Sequence, residues 1–525
     1  MDEQRLGLTV FLLNPNEVSK FREALPGAAE PSFTLAPPLE GFFLPMQSAV
    51  AEPAWLGAVR SILQTANTPP LVGQSPAGLL FIQRGAKSFV VSFGHAWRQL
   101  EDEWLEQDFG RRVALNSIPR DQILEIRAEQ VFAKWHIADE RAPRASSVDE
   151  FGVEFDRDLV AVVEGVPAEP LISILGKTVR GGTSLRVKIP FNTLPDVLDK
   201  AGTLFDSNAY KAVWPEIDNV TPVKEQSLID KLESQLDAEF ASGHAQQRLV
   251  MFIPTRRDEG ASSMESYVFG RLSKLPSITP YLTVNSWLTY VQMAQKPLTV
   301  AEAKSTRIHL MDEYKEEIKA YNVFQCFGYE LALGGQQYVL SSGIWYEVVA
   351  NFLSRINSTA NTIPNPKTKL VLWDPGENEG QYNLRCANER GFLFFDAQNV
   401  LFGGGQSKFE FCDFLDLKTK TLFFAKITSR SSGMSHLVEQ VRRTAELLFS
   451  TDDGFRKELV RVFSKFHPSI DTAWLDSRPR NGTWLLCMVS LGKNASQLPF
   501  FARCGLVRVY KELAERGHAV AFTAV

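Results

Sequence analysis

Lys408-Phe409-Glu410-Phe411-Cys412-Asp413, Leu422-Phe423-Phe424-Ala425-Lys426 and Ser435-His436-Leu437-Val438-Glu439-Gln440 follow one another in the chain. They set an acid on one apolar run, a lysine on the next and a glutamine on a helical stretch. The runs Phe409–Leu415 and Thr421–Thr428, joined by the polar turn Asp416–Lys420, read as a β-hairpin. Met434, Leu437, Val438, Val441, Ala445 and Leu448 recur at helical spacing and predict a helix from Met434 to Phe449. His436, Gln440 and Arg443 then share another face of that helix. On an amphipathic helix a solvated face is the ordinary reading of such residues.

Asp413 is flanked by Phe411, Cys412 and Phe414, and Lys426 by Ala425 and Ile427. A charge in so apolar a strand needs a partner that offsets its desolvation. Two readings satisfy this need. One is a plain buried ion pair between Asp413 and Lys426. The other is a site in which a carboxylate holds Mg²⁺ or Mn²⁺ while the lysine steadies an attacking water or a phosphate. The second reading requires a further acid upstream. Glu379, at the start of a short helix predicted to run through Ala387, is the first candidate, with Glu377 and Glu330 as competitors. The basic residues Arg430, Arg442, Arg443, Arg456, Lys457, Arg461 and Lys465 are dense for this chain and favour a phosphate-binding surface, with Arg430, Arg442, Arg443 and His436 nearest the candidate site.

The order acid-bearing helix, Asp413 strand, Lys426 strand, Gln440 helix resembles the PD-(D/E)xK nuclease superfamily over roughly residues 375–450, and the step from Lys426 to Gln440 resembles its RecB-like branch. The resemblance implies Asp413 and Glu379 as metal ligands, Lys426 and Gln440 as their catalytic companions, and Mg²⁺ or Mn²⁺ as cofactor. One departure stands out: the superfamily's acid two residues before the lysine is replaced by Phe424. Glu410 is a substitute ligand only if a bulge brings it to the face of Asp413, because strict alternation places the two on opposite faces.

The whole chain resembles a sporadically distributed bacterial family of about this length without assigned function. Ser92-Phe93-Gly94-His95, Asp108 to Asn116, Gly343-Ile344-Trp345-Tyr346, Tyr382-Asn383, Glu410 to Asp413, Lys426, Ser435-His436-Leu437 with Gln440, and Leu498-Pro499-Phe500-Phe501 carry that resemblance. A patchy distribution implies a place in defence against phage or foreign DNA, with a phage component or a defence protein as partner.

The 525-residue length implies two or three domains. A net charge of −5 gives no global attraction to nucleic acid, so such binding needs a local basic patch. The five cysteines are scattered, without CxxC or zinc spacing, and read as reduced core residues. No apolar stretch reaches the length of a membrane span and the acidic start of the chain is unlike a signal peptide. The cytoplasm is the expected location, with no membrane partner; a homo-oligomer is compatible with the sequence.

The expected class is α+β or α/β, multidomain, ending in a nuclease-like mixed sheet flanked by helices. Expected units are an α/β domain at 1–145, an α+β domain at 146–245 and a PD-(D/E)xK-like domain at 246–525. The first boundary rests on the Pro-containing stretch Ala142–Ser147, for which a surface loop is an equal reading; a helix around 224–240 closes the second unit. Predicted strands include Leu6–Leu13, Gly78–Gln83, Ser88–Phe93, Arg248–Ile253, Asn322–Phe327, Gln337–Leu340, Lys369–Trp373, Gly391–Phe395, Thr483–Ser490 and His518–Thr523, with a helix at Phe501–Arg516.

Four motifs are set aside. Asp108-Phe109-Gly110 lacks the Gly-rich loop and the HRD sequence of a kinase. Gly403-Gly404-Gly405 lacks the Lys-Ser/Thr of a Walker loop. Arg180-Gly181-Gly182 reads as a hairpin, and Trp345-Tyr346 as core residues opening a helix.

The leading expectation is therefore a defence-associated, metal-dependent nuclease that acts on nucleic acid. The alternative is a catalytically inactive nucleic-acid or protein sensor. A scaffold with a buried Asp413–Lys426 pair is the third.

Overall fold

Leu8, Val10 and Leu12 are buried in one apolar core, and Phe11 and Leu13 in another. A strand buried on both faces belongs in the middle of a sheet, and this one does. The structure, a computed structural model, describes residues 5–47, 60, 76–130, 136–151, 158–215, 217–243, 248–254, 264–271, 278–279, 281–312, 317–402, 407–428 and 431–525.

The first sheet is built from β1 (Arg5–Leu12), β2 (Glu40–Gln47), β3 (Pro76–Arg84), β4 (Lys87–Phe93), β5 (Ile123–Gln130), β6 (His136–Ser146), β7 (Asp158–Gly165), β8 (Val179–Gly181) and β9 (Leu185–Pro190). Their order is β2-β3-β4-β1-β9-β8-β7-β5-β6. The stretch Ala142–Ser147 is largely β6, and β1 pairs with β9, so one sheet draws strands from both sides of position 145. Arg180-Gly181-Gly182 lies in the β8–β9 hairpin, where Arg180 is bound to Glu125 at 2.6 Å. Asp108-Phe109-Gly110 opens the helix Phe109–Ser117.

Two further sheets use β10 (Val220–Pro222), β11 (Val250–Met251), β12 (Met264–Phe269), β13 (Ile278–Thr279), β14 (Arg307–Asp312), β15 (Glu317–Asn322), β16 (Phe327–Leu333), β17 (Gln336–Ser341) and β18 (Ile344–Val348). Their orders are β10-β18-β17-β16-β11 and β13-β12-β14-β15. The amphipathic helix is found at Gln226–Ser242, and it buries Leu232, Leu236 and Phe240 against Phe269, Phe327 and Trp345. Its buried residues share a core with these two sheets. Asn322–Phe327 is not a strand: the Asn322 and Gln325 side chains close a capping box around the 3₁₀ turn Val323–Cys326. Trp345 is buried, as expected, but on strand β18 rather than on a helix.

The last sheet comprises β19 (Leu393–Phe394), β22 (Phe414–Asp416), β23 (Thr421–Ile427), β24 (Leu485–Leu491) and β25 (Ala519–Ala524), in that spatial order. β20 (Asn399–Phe402) and β21 (Ser407–Glu410) form a separate two-stranded ribbon. β19, β22 and β23 run antiparallel, whereas β23, β24 and β25 run parallel. Parallel neighbours need long crossovers. Helices Ser431–Leu448 and Gly454–Phe466 provide the first, and Phe500–Glu515 the second. Leu422 and Phe424 pack with Met434, Leu437 and Val441, while Phe423 and Ala425 pack with Tyr382 and Cys386 of the helix Glu379–Arg390. β23 is thus buried on both faces along Leu422–Ala425, which matches the apolar run there.

The expected strand Lys369–Trp373 is absent. Tyr382 Oη donates to Val371 O at 3.0 Å and Arg385 Nη2 to Leu372 O at 2.9 Å, so helix side chains take the carbonyls that a sheet would otherwise use. All told, the chain has a mixed α+β architecture with several sheets, and no helix among the described residues is long and apolar enough to cross a membrane.

Candidate active site around Asp413 and Lys426

The hairpin is shorter than the apolar runs suggest. Only Phe414–Asp416 pairs with Thr421–Phe423, and Glu410 pairs with Asn399 in the separate ribbon. Between them Phe411-Cys412-Asp413 leaves strand geometry, and Phe411 O accepts from Thr444 Oγ1 of the following helix at 2.8 Å. Alternation therefore does not carry through from Glu410 to Asp413.

Asp413 is fully buried. Its backbone continues the ladder: its amide donates to Phe423 O at 2.9 Å, and its carbonyl accepts from Phe395 N and Asp396 N at 2.8 and 3.0 Å. Oδ2 accepts from Ala425 N at 2.7 Å, whereas Oδ1 is buried with no hydrogen-bond partner. Burial pushes this carboxyl up to about 8; Lys426 and the Ala425 amide pull it down, and Glu410 and Asp396 push it further up.

Lys426 makes its direct contact elsewhere. Nζ donates to Glu379 Oε2 at 2.7 Å, and Glu379 Oε1 accepts from Ile427 N at 3.1 Å. Desolvation opposes the ammonium form, but Asp413 and Glu379 together hold Lys426 above its ordinary value. Lys426 and Asp413 thus meet through the field, not through a direct hydrogen bond. Glu379 owes its place to the helix start: Asn378 caps the helix in a capping box with Gln381, which leaves Glu379 in the first turn, where the helix dipole favours a carboxylate.

Glu410 is held by neutral donors. Oε1 accepts from Ala397 N at 2.9 Å, and Gln440 Nε2 lies 3.4 Å from Oε2. Ala397 has φ 60, a left-handed conformation that a residue with a side chain adopts at some cost. That conformation aims its amide at Glu410.

A cavity of about 960 Å³ lies at this place. Glu379, Lys426 and Ile427 come from the helix and β23; Asn399, Lys408 and Glu410 from the ribbon. His436, Glu439, Gln440 and Arg443 line it from the helix Ser431–Leu448. The shared helical face expected for His436, Gln440 and Arg443 thus meets a cavity. Gly433 also lines it; a Cβ there would collide with Ile427 O, so only glycine lets the helix pass so close to β23.

Other candidates stay apart. Arg442 faces the helix Phe500–Glu515, with Nη2 3.1 Å from Glu512 Oε2. Arg456 is buried and donates to the carbonyls of Leu448, Ser450 and Asp452, closing the end of the preceding helix. Lys457 and Arg461 are bound to Asp453 and Glu458. Glu377 is bound to Arg385 at 2.6 Å, and Glu330 accepts from Phe501 N at 3.4 Å. Arg430 and Gly403-Gly404-Gly405 lie outside the described residues.

Sequence reasoning missed Asn383 and Asp396 as site neighbours. Asn383 is fully buried and donates to Asp396 Oδ2 at 3.0 Å. Its spacing of one helical turn from Glu379 was a usable signal. Asp396 had none, since its place depends on the turn that follows β19. Lys408 and Asn399 were missed for the same reason: the ribbon that carries them is not continuous with the sheet.

Fit to a divalent cation can be judged from the carboxylates. The charge of Glu410 is met by neutral amides, and Asp413 Oδ1 is a buried acceptor without a hydrogen-bond partner, but Asp413 lies behind the cavity wall and is not among its lining residues. Glu379, by contrast, is neutralised by Lys426. Among the described residues no group of three or more His, Cys, Asp or Glu side chains is placed to hold a metal ion.

Residues 8–525 match the model of a family described as "Family of unknown function (DUF6119)", and the chain belongs to that family. No curated protein and no solved structure matches it.

Proposed function

We propose that this member of the family is a metal-dependent nuclease that hydrolyses phosphodiester bonds in nucleic acid. The observation that carries the reading is the convergence of Glu379, Lys426, Glu410 and Gln440 around one cavity, with buried Asp413 electrostatically coupled to Lys426 and Glu410. The elements that hold them support it further. A helix with Glu379 precedes three antiparallel strands, the last carrying Lys426 and the second preceded directly by Asp413, then a helix with Gln440 and a parallel strand, the order expected of a PD-(D/E)xK core.

In this reading Asp413 and Glu410 hold Mg²⁺ or Mn²⁺, which would supply charge neutralisation at the scissile phosphate and a more acidic water. Lys426 keeps its proton and points its ammonium at the phosphate or the attacking water. Glu379 fixes the direction of Lys426, acting as its positioning partner rather than as the metal ligand first expected. Gln440 holds Glu410. Lys408, Arg443 and His436 contact the backbone of the substrate.

A role in defence against phage or foreign DNA, within the cytoplasm, belongs to the same proposal and rests on the sequence resemblance alone. The alternative is a binding protein without catalysis. One observation favours it: Phe424, where the superfamily has an acid, is fully buried in the core beside Leu422. Purified protein incubated with plasmid, single-stranded DNA and RNA, with Mg²⁺, Mn²⁺ or EDTA, separates the two. Cleavage that needs metal and is lost in Asp413→Asn supports the nuclease; binding without cleavage supports the sensor.

A further inference from the structure

The ribbon β20–β21 pairs with itself, not with the sheet, and lines the cavity together with the helix Ser431–Leu448, which it touches through Gln440–Glu410 and Arg443–Phe409. Lys408 projects from the ribbon and Arg443 from the helix, both exposed. Neither is paired with an acidic residue among the described residues. Arg443 lies over the Phe409 ring, 5.5 Å from its centroid, which orients the guanidinium without neutralising it. Lys426, the third lining cation, is engaged with Glu379.

Charge decides what such a cavity accepts. The lining cations Lys408, Lys426 and Arg443 are matched in number by the lining acids Glu379, Glu410 and Glu439, so the lysines, arginine and carboxylates of the lining give no excess positive charge. A duplex presents one phosphate charge per about 1.7 Å of its axis and is held by proteins that neutralise many of them. Two unpaired cations cannot do that. Volume points the same way: about 960 Å³ is the size of a small-ligand pocket, room for a short stretch of one strand.

We infer that the cavity takes a single-stranded segment of nucleic acid, laid across the joined ribbon and helix, with adjacent phosphates on Lys408 and Arg443 and the chain passing over Lys426. This rests on the nucleic-acid reading above and narrows it. The lining offers neither Tyr nor Trp, and the ring of Phe409 is covered by Arg443, so stacking adds little and recognition is through the backbone. Binding tolerates changes of base sequence.

The test is fluorescence anisotropy with the full chain, in EDTA to suppress cleavage, using labelled single-stranded DNA, single-stranded RNA and a blunt duplex of the same length, with a free mononucleotide as competitor. A single strand is expected to bind about ten-fold or more tightly than the duplex, with a salt slope near that for two phosphates, about −1.4. Lys408→Glu and Arg443→Glu each weaken it about ten-fold while the thermal melt of the protein is unchanged. Equal or tighter duplex binding overturns the inference, as does single-strand binding indifferent to both reversals. Competition by the mononucleotide at the same concentration as by the oligonucleotide overturns it in favour of a small-molecule occupant. Specific single-strand binding without metal-dependent cleavage keeps this inference and removes the nuclease reading; cleavage confined to duplex does the reverse.

Discussion

Lys426 Nζ lies 2.7 Å from Glu379 Oε2, across 47 residues of sequence. The same carboxylate accepts from Ile427 N at 3.1 Å, so one side chain at a helix start fixes both the charge and the backbone at the end of β23. Its position follows from the capping box at Asn378, and the direction of Lys426 follows from it. A lysine that must face a phosphate needs such a partner, because its stem would otherwise sample several rotamers.

Glu379→Gln and Lys426→Met should each cost about 1 kcal/mol of stability, since both side chains are partly exposed and screened by solvent. The double variant should cost less than their sum by about 1 kcal/mol, the signature of a direct interaction. Urea denaturation of the four proteins measures it. Strict additivity would show that the contact contributes nothing.

The carboxyl of Asp413 is raised to about 8 by burial, against an ordinary value of 3.8. Between those values the folded chain keeps this proton while the unfolded chain has lost it, so the contribution of Asp413 to stability falls as pH rises through that window and levels off above it. Asp413→Asn mimics the neutral form and escapes this loss. Its melting temperature relative to the parent should therefore be near parity at about pH 4 and should rise steadily to about pH 8, a gain of a few kcal/mol by order of magnitude. A pH-independent difference would mean that Asp413 is ionised in the fold.

Two arginines that look alike in sequence should behave oppositely. Arg456 is buried on three carbonyls at the end of a helix, and Arg456→Ala leaves those acceptors unmet, costing about 2–3 kcal/mol without weakening nucleic-acid binding in the protein that folds. Arg443→Ala should leave the melt within about 0.5 kcal/mol of the parent and weaken binding. Paired thermal melts and binding titrations decide; an unstable Arg443→Ala would place that residue in the scaffold.

Gly433→Ala should destabilise the chain by about 2–4 kcal/mol, because its methyl group would collide with Ile427 O and push the helix off β23. Since Gly433 also lines the cavity, the displaced helix should loosen the contact between Gln440 and Glu410. Hydrogen exchange at Ile427 and along residues 433–440 would report the shift; unchanged protection there would count against so close an approach.

How much of this was legible in the sequence can be seen at particular residues. The apolar run of β23, the stripe of the helix that follows and the strand–helix–strand ending at β25 were all readable, because burial imposes a period on each. Lys369–Trp373 reads as a strand by composition alone, yet its carbonyls are claimed by Tyr382 and Arg385, a tertiary event that no local pattern encodes. Glu410 reads as usable only if the strand is interrupted before Asp413, and sequence cannot locate that interruption; the break at Phe411-Cys412-Asp413 is there, and Glu410 lines the cavity. Glu379, Lys426, Glu410 and Gln440 were all named from sequence, but the pairing of Lys426 with Glu379 rather than Asp413 was not, since it depends on which end of a helix meets which end of a strand. Sequence could not show the partners of the basic residues that follow: Arg442 meets Glu512, Arg456 a helix end, and Lys457 and Arg461 neighbouring acids.

Metal-dependent cleavage compared across the parent, Asp413→Asn and Lys426→Met is the most direct measurement, with circular dichroism on each to establish folding. The expected result is cleavage of single-stranded nucleic acid by the parent in Mg²⁺ or Mn²⁺, none in EDTA, and a loss of about 100-fold or more in both folded variants. Cleavage undiminished in the variants, or no metal-dependent cleavage by the folded parent on any nucleic acid, would contradict it.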